Sequence, residues 1–100
     1  MSRLRTAPAA RQDIRDIRVD SKARFGPRVS RQYLDGLIAS FDRLADRPQV
    51  GSVESGLGDG MRSLAYRSHR IYYRVEGDDL LVVRILHHAR NVPSAFGTTQ

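Results

Sequence analysis

The chain has 100 residues, 40% of them apolar and 28% charged, and its 17 basic against 11 acidic side chains leave a formal net charge of +6. This is one small folded domain, long enough to bury roughly 60 to 70% of the surface its unfolded chain exposes and too short for a second domain. With no cysteine, a disulfide framework, a thiolate zinc site and a thiol nucleophile are all excluded, and no stretch approaches the ~20 apolar residues that cross a bilayer.

The residues before Pro8 lack the apolar core of an export signal, so the expected compartment is the cytoplasm. Residues 3 to 5 read as a short opening strand with Leu4 facing inward. Thr6 offers a cap and Pro8 fits the first turn of a helix, in which Ala10, Ile14 and Ile17 recur at i, i+4 and i+7. Arg11, Asp13, Arg15, Asp16 and Arg18 are expected to populate its solvated remainder. Phe25-Gly26-Pro27 closes this helix and opens the next, predicting a tight helical hairpin.

The second helix carries the strongest periodicity in the chain: Val29, Tyr33, Leu37, Phe41 and Leu44 form one stripe, widened by Leu34, Ile38 and Ala45, until Arg47-Pro48 stops it. Residues 49 to 60 have loop composition, with four glycines among Ser, Asp and Glu. The Gly-Leu-Gly-Asp-Gly run is no phosphate cradle, because neither Lys-Ser nor Lys-Thr follows and a strand comes next. Met61 to Tyr66, Arg70 to Glu76 and Leu80 to His87 read as three strands, the last two joined by a Gly77-Asp78 turn. The final strand is apolar on both faces except at Arg84, which places it inside the sheet. One domain over residues 1 to 92 is therefore expected, with a flexible tail over residues 93 to 100.

These elements describe an α+β fold: a short N-terminal strand, a helical hairpin, then three antiparallel strands forming one curved sheet. The landmarks run in order through Thr-Ala-Pro-Ala-Ala-Arg-Gln-Asp-Ile at the first helix and Arg-Phe-Gly-Pro-Arg at 24 to 28. They continue with Tyr33-Leu34, Phe41-Asp42-Arg43-Leu44-Ala45, Pro48, Gly51 and Gly60-Met61-Arg62. The last are His69-Arg70-Ile71-Tyr72-Tyr73-Arg74-Val75 and Val83-Arg84-Ile85-Leu86-His87. In this order and spacing the chain resembles ParE toxins of the RelE/ParE superfamily over about nine tenths of its length.

The resemblance implies a toxin of a type II toxin-antitoxin system, neutralised by a ParD-like antitoxin and acting by binding DNA gyrase. The alternative within the superfamily is a RelE-like, ribosome-dependent mRNA endoribonuclease. Phosphodiester cleavage needs a base, an acid and cations for the developing charge. Arg70 lies where RelE-type enzymes carry a catalytic Arg, but Met61 and Ser63 stand in the strand where some carry Lys. No Tyr follows Tyr73, so the C-terminal aromatic acid or base is missing. The departures favour the non-nuclease branch, with no catalytic residue assigned.

Sixteen of the basic residues are Arg and only Lys22 is Lys. A GC-rich genome explains that abundance as well as phosphate recognition does, so placement matters more than number. Arg62, Arg67, Arg70 and Arg74 fall between 61 and 75 with no acid among them. Arg62, Arg67, Arg70, Arg84, His87, His88 and Arg90 are the candidates for target binding, which leaves direct nucleic-acid contact open. His87 and His88, adjacent on a strand, are expected to face opposite ways and not to share one site. No metal site or cofactor is expected. For the antitoxin, whose amphipathic segment would lie along the hairpin, the candidates are Ile14, Ile17, Val29, Tyr33 and Leu37.

Overall fold

The computed structural model describes residues 3–88. In chain order the elements are β1 (Arg3–Thr6), α1 (Pro8–Phe25), α2 (Pro27–Asp46), β2 (Ser52–Val53), a single 3-10 turn (Ser55–Leu57), β3 (Met61–Tyr66), β4 (His69–Glu76) and β5 (Asp79–His87). The expected order holds, with one addition. The 49–60 loop contributes the two-residue edge strand β2, which pairs Ser52 with Ser63 and Val53 with Arg62 and brings the sheet to five strands. A two-residue pairing in a Gly-rich segment leaves no periodicity to read.

The sheet order is β1-β5-β4-β3-β2. β1 lies parallel to β5, with Leu4 opposite Leu80 and Thr6 opposite Val82, while the other pairs are antiparallel. β5 is thus interior along its first half, as its apolar run requires. Pairing continues to the end of β1, where the Ala7 N–H donates to the Val82 carbonyl at 2.9 Å. The chain therefore turns into α1 with Ala7, not Thr6, at the cap position and with no side-chain cap.

Helix α2 buries Leu34, Leu37, Phe41 and Leu44 against the sheet, a strict i, i+3, i+7, i+10 stripe. Beneath it lie Ile71, Tyr73, Leu80, Val82 and Ile85, and α1 adds Ala10 and Ile17. Where the helices meet near their hairpin, small residues replace large ones: the Ser21 and Ser30 hydroxyls lie 2.6 Å apart and buried. Gly26 links the helices at φ +88°, a conformation that side-chain-bearing residues rarely adopt.

An irregularity between Tyr72 and Tyr73 decides the facing of β5. Tyr73 is opposite Val82, Tyr72 is opposite Arg84, and Val83 is the extra residue. Past this bulge the alternation is reset, so Ile85 joins Leu80 and Val82 in the helix-facing core and Arg84 shares a face with Tyr72. On that outer face Met61, Tyr72 and Leu86 form a second, smaller apolar cluster, flanked by Leu57 and Val83. None of the helices among the described residues is long and apolar enough to cross a membrane.

Candidate functional site

A groove of about 680 Å³ opens between α1, the start of α2, the β3–β4 turn and the end of β5. It exists because β1 stops at Thr6, opposite Val82, so the last residues of β5 pair with β4 on one side and have no strand on the other. Helix α1 crosses this gap, and its Asp13 takes the place of the missing strand. The Asp13 carboxylate accepts the Ile85 backbone N–H at 2.9 Å and both the Nε and Nη2 of Arg84, at 2.7 and 2.9 Å. The hydrogen bond from Arg84 to Asp13 raises the guanidinium pKa further above its ordinary value, against the opposing effect of burial.

The expectation that Asp13 sits on a solvated face is therefore corrected. It lies at 3 from Ala10 and 4 from Ile17 on the buried side of α1, a spacing that by itself could have revealed it. Arg84, a target-binding candidate, is the ion-pair partner of Asp13.

The groove floor contains Ile17, Val29 and Tyr33, three of the antitoxin candidates, together with Phe25. Phe25 is 62% exposed and Val29 46%, so the groove presents apolar surface to solvent. Ile14 is partly buried and packed against the main core. Leu37 is corrected: at 0% exposure it belongs to that core, because the buried stripe of α2 runs through Leu34 and Leu37 and turns Val29 outward. Phe25, read from sequence as punctuation, was the missed member of this surface.

At the mouth of the groove Tyr33 Oη lies 2.6 Å from His69 Nδ1, and the Tyr66 hydroxyl donates to the Tyr33 carbonyl at 2.8 Å. The Arg67 guanidinium covers both tyrosine rings, 6.0 and 5.7 Å from their centroids. Burial raises the Tyr33 pKa and lowers that of His69, the latter reinforced by His87 and His88. The His87 and His88 rings are tilted with centroids 6.2 Å apart, so the two expected to diverge stay within ring contact. His69 and His87 both line the groove, their rings edge to face.

The remaining cations hold the protein's own chain. Arg62 Nη1 donates to the carbonyls of Gln49 and Gly51, at 3.3 and 2.8 Å, and tethers the loop before β2. On the outer face Arg70 Nε donates to Ser63 Oγ at 2.7 Å, and Ser63 Oγ donates in turn to Glu54, whose carboxylate lies 3.8 Å from Arg70. Burial, with Glu54 second, raises the Tyr72 pKa on the same face, so this phenol is a poor proton donor near neutrality. Arg90 lies outside the described residues. No group of three or more His, Asp or Glu among the described residues is placed to hold a metal ion.

Residues 4–92 match the family described as the ParE toxin of the type II toxin-antitoxin system, parDE. The chain belongs to the ParE toxin family. It is 35% identical over 92 residues to Toxin ParE1 of Mycobacterium tuberculosis, covering 91% of this chain and 94% of that one. It is 31% identical over 97 residues to Toxin ParE1 of Caulobacter vibrioides, covering 97% of this chain and the whole of the other. A solved structure described as the chromosomal ParDE TA system from P. aeruginosa shares the fold, with a TM-score of 0.76 at 19% identity over 87% of this chain and 96% of its own. This ParE-family chain is thus the toxin component of a type II toxin-antitoxin system.

Proposed function

We propose that this ParE-family toxin acts in the cytoplasm by binding DNA gyrase, and that a ParD-like antitoxin silences it by laying an apolar segment along the groove between α1, α2 and β5. The exposed apolar pair Phe25 and Val29, beside a groove with Asp20 on one lip and Arg67 on the other, carries the antitoxin half of this reading. Such a surface suits a segment that is disordered alone and folds on binding, with aliphatic anchors and flanking charges.

The choice of binding over RNA cleavage rests on the outer face. A nuclease needs cations directed at the scissile phosphate and a group able to move a proton. Here the Arg70 guanidinium is engaged by Ser63 and Glu54, and the nearby phenol of Tyr72 is buried and held protonated. Inhibition by binding requires neither a proton carrier nor turnover.

The test uses purified toxin with gyrase and with translating ribosomes in parallel. Loss of supercoiling or accumulation of cleaved DNA, without codon-phased mRNA fragments, is the expected result. Codon-phased fragments that vanish in Arg70→Ala, with gyrase unaffected, would replace this reading by the ribosome-dependent nuclease. For the partner, the expected finding is a small ribbon-helix-helix protein encoded beside the toxin that restores growth and co-purifies with it.

A further inference from the structure

His69 and His87 form the last rung of the β4–β5 ladder. Their rings meet edge to face with centroids 5.3 Å apart, and His88 extends the row. His88 also fastens the β3–β4 turn to the end of β5: its backbone N–H donates to the Ser68 carbonyl at 3.1 Å, and its Nε2 lies 2.8 Å from the Arg67 carbonyl oxygen. Three imidazoles and one guanidinium thus hold together the wall that closes the open end of the groove.

We infer that this rung is a proton-operated latch: with His69 neutral it holds the β3–β4 turn against β5, and when His69 takes up a proton the turn and the end of β5 separate and the groove loses its wall. A proton on His69 puts a positive charge in a half-buried place directly across the β4–β5 ladder from the His87 ring, where burial disfavours it.

The groups that face His69 offset that charge only in part. From α2, the Tyr33 hydroxyl can donate to His69 Nδ1 only while that nitrogen is unprotonated; a protonated ring donates instead and reverses the bond. From β3, Tyr66 presents an uncharged phenol against Tyr33, their rings 5.1 Å apart. From α1, Asp13 and Asp20 favour the proton on His69, but burial, His87 and His88 outweigh them. Each of these carboxylates also has its own cation, Arg84 and Arg24 respectively, and Asp16 accepts from Gln12. The latched state therefore holds protons on His69 less readily than an opened state would, and linkage makes acid favour opening.

Amide hydrogen exchange followed by NMR on the full chain tests this, with rates normalised to intrinsic exchange at each pH. Between pH 7.5 and 5.5 protection of the His88 amide should fall about tenfold while that of Tyr73, in the middle of β4, is retained. His87→Gln, at an exposed position that leaves the core intact, should flatten the pH response of His88. Equal loss at Tyr73 and His88, an unchanged His88 amide, or an unaltered pH response in His87→Gln would each overturn the inference.

Discussion

Asp13 and Arg84, 71 positions apart in the chain, form a two-point ion pair in which the same carboxylate also caps the Ile85 backbone N–H. The side chains are only 9% and 16% exposed, so the pair works in a mostly desolvated setting. It joins the middle of α1 to the stretch of β5 whose outer edge β1 leaves bare, and so fixes the inner end of the groove.

Asp13→Ala should accordingly cost about 3–5 kcal/mol, because it strands a buried guanidinium and a backbone donor together. Asp13→Asn keeps an acceptor for Ile85 and should cost less. Urea unfolding of the two variants, with Arg84→Met as the control that removes the stranded charge, measures the difference. Equal midpoints for Asp13→Ala and wild type would show that the pair contributes nothing.

Tyr73 secures the loop between α2 and β2 from beneath. Its hydroxyl donates to the Pro48 carbonyl at 2.7 Å and accepts the Gly51 N–H at 2.9 Å. Tyr73→Phe should lower stability by about 1–3 kcal/mol through those two unpaired groups. Gly51→Ala should be at least as damaging, since a Cβ there would lie 2.6 Å from both the Ser63 carbonyl oxygen and the Tyr73 hydroxyl. Thermal unfolding of both variants checks this, and an unshifted Gly51→Ala would contradict the packing described.

Val29 and Leu37 lie on one helix and should behave oppositely. Val29→Asp should leave the unfolding midpoint nearly unchanged and weaken capture by the co-encoded antitoxin, by on the order of 1–3 kcal/mol if Val29 is a central contact. Leu37→Ala should cost about 2–5 kcal/mol of stability because it empties a fully buried site. Titration calorimetry against the antitoxin, paired with denaturant melts, separates the effects. Full-affinity binding by Val29→Asp would move the antitoxin off this groove.

Overall stability should also respond to acid through His69. Its folded-state pKa is depressed by burial and by His87 and His88, so the neutral form is favoured in the native state. The contribution is fully present above the ordinary imidazole value near 6.5 and is lost as pH falls below it, because the unfolded chain takes up the proton first. Melts from pH 7.5 down to 5 should show a decline that is shallower in His69→Gln. A parallel decline in that variant would assign the effect to other groups.

The elements were legible in the sequence wherever a local rule governs them. The Leu37, Phe41 and Leu44 part of the α2 stripe, the Gly26-Pro27 junction and the apolar run of β5 each follow from periodicity or backbone restriction within a few residues, whereas the Val29 end of that stripe faces outward. The family was legible too, because its landmarks keep their order along the chain. Which polar groups meet was not. Whether Arg84 faced Ile71 or Tyr72 depended on one extra residue at Val83, and strand propensity is the same for either register. The partnership of Asp13 with Ile85 and Arg84 arises only because β1 ends at Thr6 and leaves an edge for α1 to cover. Likewise the cations at Arg62 and Arg70, which read as a free basic patch, are held by Gly51 and by Ser63 with Glu54 once the 49–60 loop folds back as β2. Hydrophobic burial is set by patterns a chain carries locally, whereas a charge takes its role from whichever partner the tertiary fold brings within hydrogen-bonding distance.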